Sequence, residues 1–446
     1  MELVEKLQLQ QYFKIHPIRN TRIKYRIAYI SLIKYLCEQI TNDDQWTESM
    51  FVLMKELFIK NENFIPVEIN SSGDFIFGGE NNPTLKHKFQ KYRYYILTDC
   101  LFISAFDNRE KGLYVLEKVS KLYFQNKRKL KELFEYFYEI DEKNIKMYYP
   151  EMTDIYKVIK NNRNFLKLDE KKIMIIANMS AGKSTLLNAL VGKKVNKTQN
   201  DTCTSKIHYL YNKAGEDYLS YELDYNLILN ASKEILMKDN EDNNSIEITV
   251  GTRFRSINEV NNRICFIDTP GVNSSRNKEH KELTNKVVVE ENCDLLLFLF
   301  NGENIGTDDE RRHLCNVKEI YHGEIIFLIN KLDRFKLGDD SVAETIKKVK
   351  DNLVKLGFLH PKVYPISAYA AYLAKMSMFD EDLTEDEIYE MEFRKRKLSK
   401  TEYRYDTYFE MASPLINEEN ESEMLLRNSG ILNLESMIYN KKNQEE

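Results

Sequence analysis

The chain has 446 residues, enough for two or three domains, and its 65 basic and 70 acidic side chains leave a formal net charge of −5. That near balance excludes a strongly basic nucleic-acid binder, so no nucleic acid is expected as a partner. Six scattered cysteines (Cys37, Cys100, Cys203, Cys265, Cys293, Cys315), with no C-x-x-C pair, predict reduced thiols in a cytoplasmic protein and exclude a disulfide framework or a zinc-ligand set.

The opening "MELVEKLQLQQYF" lacks the basic-then-apolar build of a signal peptide, and the longest apolar runs, such as "LLLFLF" at 295–300, are far too short for a bilayer span. Residues 1–165 read as an all-α N-terminal domain. "YRIAYISLIKYLCEQI", "SMFVLMKELFIK", "KYRYYILTDCLFISAF", "GLYVLEKVSKLYFQ" and "KLKELFEYFYEI" carry apolar residues at helical spacing, with Leu130, Phe134 and Phe137 on one stripe and Leu133 beside them. The Gly- and Asn-rich stretch between the second and third predicts a loop or small hairpin.

From about Lys171 the pattern becomes short, nearly continuous apolar runs: "KKIMIIA", "RICFID", "DLLLFLF", "EIIFLIN" and "KVYPIS". Such runs suit strands buried on both faces of a mostly parallel sheet flanked by helices, so 166–446 is expected to be an α/β domain with inserts near 212–245 and 376–425, and the motifs below are what make it a P-loop GTPase domain.

The first strand feeds "ANMSAGKSTLLNALVG" (177–192), a strand–loop–helix context that suits a phosphate loop. Asn178, Met179, Ser180, Ala181, Gly182, Lys183, Ser184 and Thr185 are the expected nucleotide contacts. Backbone N–H groups of Ser180 to Ser184 would wrap a phosphate at a helix N-terminus, Lys183 would bridge the β- and γ-phosphates, and the Ser184 hydroxyl would hold Mg²⁺. Ala177 stands where the usual pattern opens on Gly, which costs little if its φ is negative. "FIDTPGV" then puts Asp268 at a strand end to hold a Mg²⁺ water, with the Gly271 N–H facing the γ-phosphate. "FLINKLD" supplies Asn330, Lys331 and Asp333. The Asp333 carboxylate can accept from guanine N1–H and the exocyclic amine, a donor pair adenine lacks, which selects GTP or GDP over adenine nucleotides. Ser367 and Ala368, after the next strand, can offer a backbone N–H to the guanine O6. Taken singly, "DTPG" also reads as an ordinary turn and "NKLD" as a solvated loop; their order and repeated placement at strand ends favour the nucleotide reading. In "NKTQNDTCTSKIHYLYN" Thr204 is the expected switch ligand to Mg²⁺, with Thr202 the alternative.

With these runs assembled, the chain resembles the dynamin superfamily, particularly its bacterial members, over roughly 168–440. "SAGKSTLLNALVG" looks like that family's phosphate loop, "CTS" is similar to its first switch, the run from "IDTPGV" to "LFNG" to its second switch and following strand, and "SGILNLESMI" to its closing helix. The resemblance implies a GTPase whose low basal turnover rises when two GTPase domains meet, as a homo- or heterodimer, and in several members a role in membrane remodelling. Met179 departs from the Gln of eukaryotic dynamins, and the family's stalk and membrane tip are not evident, so a dynamin-like partner chain is one expected source for them. Val272 replaces the water-orienting Gln of Ras-type enzymes. Water positioning is therefore expected from the Thr204 carbonyl, main-chain groups or a partner, with Ser180 helping to hold a monovalent cation such as K⁺. A second class of function stays open, a nucleotide-gated switch whose helical domain binds a partner. The basic run "EFRKRKLSK" (392–400) could touch anionic lipid, peripheral to a membrane; its ordinary reading is a solvated helix beside an acidic neighbour.

Overall fold

A computed structural model describes residues 1–40, 44–60, 64–70, 75–77, 80–82, 87–178, 180–195, 206–238, 247–257, 260–269, 285–335, 341–379 and 381–439. Its contacts divide the chain into two compact units, one of residues 1–167 and 213–230, the other of residues 168–212 and 231–446. Among the described residues no helix is long and apolar enough to cross a membrane.

The first unit is built on helices Ile23–Glu38, Gln45–Phe58, Arg93–Ser104, Arg109–Leu122, Lys127–Tyr138, Glu142–Tyr148 and Thr153–Leu166. Arg93–Ser104 is buried from Tyr94 onward and forms the centre of the unit. The Leu130, Leu133, Phe134 and Phe137 stripe is fully buried, as its spacing requires. In the centre, Asp99 accepts hydrogen bonds from the Tyr12 and Tyr29 hydroxyls at 2.9 and 2.8 Å. Burial pushes its carboxyl up to about 7 against the pull of those two phenols. A small antiparallel ladder joins Glu68–Ile69, Phe75–Phe77 and Glu80–Asn82.

Residues 213–230 belong to this first unit, although they fall within the insert that the sequence reading assigned to the second domain. The reason is apolar: Leu219, Tyr221, Leu227 and Leu229 join the helical core. The buried Lys213 pairs with Asp217 and lies 3.6 Å from the Tyr221 ring centroid.

The second unit is a sheet flanked by helices. Its strands are β1 (Glu170–Ala177), β2 (Ile207–Asn212), β3 (Glu247–Thr252), β4 (Arg263–Asp268), β5 (Leu295–Asn301), β6 (Glu324–Asn330) and β7 (Lys362–Ile366). Within this unit they are ordered β7-β6-β5-β1-β4-β2-β3, parallel throughout except where β2 runs against β4. The continuous apolar runs are explained by burial on both faces: Leu295 to Leu299 and Ile173 to Ile176 are at most 3% exposed. Pro365, which cannot donate to a ladder, sits on the end strand β7.

Register brings the carboxyl ends together. Asp268 lies opposite Ile175, Leu299 opposite Ala177, Asn301 opposite Asn330, and Asn330 opposite Ile366. In open α/β sheets that edge is where ligands bind. Helices Asp308–Ile320, Val342–Lys355, Ala368–Met378, Glu385–Leu398, Glu421–Asn428 and Ile431–Tyr439 complete the unit. The last of these is fastened by a fully buried pair, Lys375 and Glu435.

Candidate functional site

β1 runs into the loop 178–182 and then helix Lys183–Val191. Ala177 ends the strand outside the left-handed region, so its methyl group meets no backbone penalty. Among the loop's described residues, positive φ values fall at Ser180 (58°) and Gly182 (94°). At Gly182 a Cβ would also stand 2.4 Å from Asn330 Nδ2, so glycine is required twice over.

The loop is held from one side. Lys331 Nζ donates to the Ser180 carbonyl at 2.6 Å and Asn330 Nδ2 to the Ala181 carbonyl at 2.8 Å. Asn301 Nδ2 reaches the same Ser180 carbonyl at 3.4 Å. Across a trans peptide the N–H opposes the carbonyl, so the Gly182 N–H is aimed to the other side, at the helix N-terminus. Ser184 and Thr185 lie half-buried in the first helical turn. Behind the loop, His313 Nδ1 shares a 3.0 Å hydrogen bond with Asn178 Oδ1.

Lys183 directs its ammonium to the Asp268 carboxylate and the Thr269 carbonyl at the end of β4. Asp268 is fully buried and the lysine side chain is 10% exposed. A cation, a carboxylate and a hydroxyl therefore share one helix N-terminus, the donor set that a triphosphate with its Mg²⁺ would use. Met179, Thr202, Thr204 and Gly271 lie outside the described residues.

At the other end of the loop, Asn330 makes a second bond, accepting the Ala368 N–H at 3.0 Å through Oδ1. One side chain thus joins the phosphate loop, the end of β6 and helix Ala368–Met378. Lys331 adopts φ 69°, an uncommon conformation for a long side chain. Burial lowers its ammonium pKa, with Arg334 adding to the effect. Ser367 caps helix Ala368–Met378 by accepting the Ala370 N–H at 3.3 Å, and its own N–H donates to Ser429 O at 2.9 Å. Both N–H groups expected for the guanine O6 are thus engaged within the protein, so either would have to exchange or share its bond.

Asp333 follows in a short turn with its side chain 5% exposed, and Arg394 of helix Glu385–Leu398 places Nε 3.2 Å from its Oδ2. Nothing in the local sequence points to this residue, because it sits in the basic run read as a solvated or lipid-facing helix. That run is engaged within the unit: Lys395 pairs with Glu392 and Glu421, and Lys397 donates to Phe335 O. Asn301 and His313 were also missed. Asn301 left a signal, a polar residue closing an apolar strand.

A mostly parallel sheet with this strand–loop–helix cradle and an Asn-Lys-x-Asp turn at its carboxyl edge has the P-loop GTPase fold. Residues 173–332 match the family model described as "Dynamin family". Over that stretch the chain is similar to the dynamin family. One curated relative, "Probable transmembrane GTPase FZO-like, chloroplastic" of Arabidopsis thaliana, is 26% identical over 213 residues, which cover 47% of this chain and 20% of the relative. The chain thus spans about a fifth of that protein's length. Among solved structures, a point variant of Aquifex aeolicus Era bound to GDP and AlF4⁻ is 20% identical, with 49% of this chain and 59% of that one covered at a TM-score of 0.28. Arabidopsis thaliana Toc33 with Mg²⁺ and GMPPNP is 13% identical, with 47% and 79% covered at 0.30. Likeness at that level adds nothing to what strand order and loop geometry establish.

Proposed function

We propose that this chain binds GTP with Mg²⁺ and hydrolyses it to GDP and phosphate. The observation that carries this reading is the convergence of Lys183, Asp268 and Asn330 around one loop at the carboxyl edge of the sheet.

Lys183 rests on Asp268, and nucleotide entry exchanges that partner for the β- and γ-phosphate oxygens. Asp268 and the Ser184 hydroxyl would hold the metal and its water, with Thr204 completing the set. When bound, Mg²⁺ supplies charge that neutralises the departing diphosphate. The Gly182 N–H and its neighbours through Ser184 hold the phosphates, Asn178 and Thr185 flank them, and the Gly271 N–H meets the γ-phosphate. Asp333 reads the guanine donors while the Lys331 stem covers the base. Ser180, with a K⁺ ion, would supply the charge that Ras-type enzymes obtain elsewhere, and the Thr204 carbonyl would orient water.

Turnover is slow in the monomer and rises as GTPase domains pair, with a second copy or a dynamin-like partner chain, in the cytoplasm or at a membrane surface. The test is specific activity against protein concentration, with and without K⁺. Activity that climbs with concentration supports pairing, and a flat response rejects it. A second reading, nucleotide-gated docking with little turnover, is favoured by the first unit having a hydrophobic core of its own. It predicts that a partner captured with a non-hydrolysable GTP analogue is lost in Lys183→Ala although the wild type turns over no GTP.

A further inference from the structure

The base-reading carboxylate is already occupied. Guanine recognition needs both Asp333 oxygens open to two N–H donors, yet that side chain is 5% exposed and Arg394, itself 6% exposed, lies against it. The contact is close but poorly aligned: although Nε is 3.2 Å from Oδ2, it makes no directed hydrogen bond among the described residues. The guanidinium is better held elsewhere. Its Nη1 donates to the Glu390 carboxylate one helical turn back, and its carbon lies 4.6 Å from the Tyr369 ring centroid. Beside the pair opens a cleft of about 1100 Å³ whose walls include Phe335, Tyr369, Phe393 and Tyr403.

We infer that Arg394 sets the affinity of the site for guanine by competing with the base for Asp333. This rests on the GTP reading above and deepens it. Release is inexpensive because Glu390 and Tyr369 keep the arginine paired once it leaves, and the cleft gives it and the incoming base room. A ligand that binds only the open form pays the population ratio in apparent affinity, so removing the competitor returns that factor.

The test compares GDP and ADP binding by stopped-flow fluorescence of labelled nucleotides in wild type, Arg394→Gln and Arg394→Lys. Arg394→Gln should bind GDP on the order of 10-fold more tightly, chiefly through faster association, with no gain for ADP. Arg394→Lys should fall between. Equal or weaker GDP binding by a variant that melts like wild type overturns the competition and leaves the GTP reading intact. Failure of both folded proteins to bind GDP overturns the GTP reading and the competition with it. Hydrogen exchange of the wild-type protein needs no variant: exchange across 385–398 should rise on adding GDP, and unchanged or slowed exchange there overturns the inference.

Discussion

Asn330 donates through Nδ2 to the carbonyl of Ala181 at 2.8 Å, joining the end of β6 to a loop 149 residues earlier in the chain. The same amide accepts the Ala368 N–H through Oδ1 at 3.0 Å, so one planar group ties three segments of the site. Asn330→Ala would leave a buried carbonyl and a buried N–H without partners. We expect a loss of about 2–4 kcal/mol in urea unfolding, together with weakened GDP binding. Asn330→Asp keeps the acceptor for Ala368 but faces the Ala181 carbonyl with a second acceptor, and should bind GDP no better than the alanine variant.

Gly182 carries a steric requirement and a conformational one. Its φ is 94°, and a Cβ there would stand 2.4 Å from Asn330 Nδ2. Gly182→Ala should therefore displace the Asn330 amide and cost about 1–3 kcal/mol of loop strain. The expected outcome is a folded protein by circular dichroism whose GDP binding is lost or strongly weakened.

Lys375 and Glu435 form a buried pair, and the lysine also donates to Arg255 O at 2.8 Å. Burial lowers the lysine pKa and raises the glutamate pKa, with each partner opposing the other's shift. Lys375→Met strands a buried carboxylate and should destabilise by about 3–5 kcal/mol. Adding Glu435→Gln should recover part of that loss, which a double-mutant cycle in urea measures directly.

Glu310 gives stability a pH dependence. Burial raises its carboxyl from 4.5 to about 7, opposed by the hydrogen bond it accepts from the Gly306 N–H. Between those two values the folded state holds a proton that the unfolded chain has lost, so stability falls as pH rises across the window. Glu310→Gln keeps the acceptor and removes the titration. Its stability curve should be flatter from pH 4.5 to 7 and lie roughly 1–3 kcal/mol above wild type beyond pH 7.

The strands of the second unit were legible because burial on both faces writes itself as unbroken apolar runs, and the loop because its glycine, lysine and serine sit where a strand becomes a helix. Ala177 was readable as tolerable, and the structure supplies the reason: its φ is not positive, and among the described loop residues positive φ falls at Ser180 and Gly182. Pairings between distant segments were not legible. Nothing local to "EFRKRKLSK" distinguishes Arg394, which turns inward to Asp333, from Arg396 on the same helix. Likewise, Leu219 and Tyr221 look like any apolar residues of an insert until the core they join is seen.

The proposed function requires the Asn330–Asp333 turn and the Lys183 loop to hold a guanine nucleotide together. Calorimetric titration of the full chain with GDP and with ADP, each with Mg²⁺, tests it most directly. GDP should give saturable heat and bind at least about 100-fold more tightly than ADP, because adenine leaves the Asp333 carboxylate without its donors. Equal affinity for the two nucleotides, or no heat from either, would contradict it.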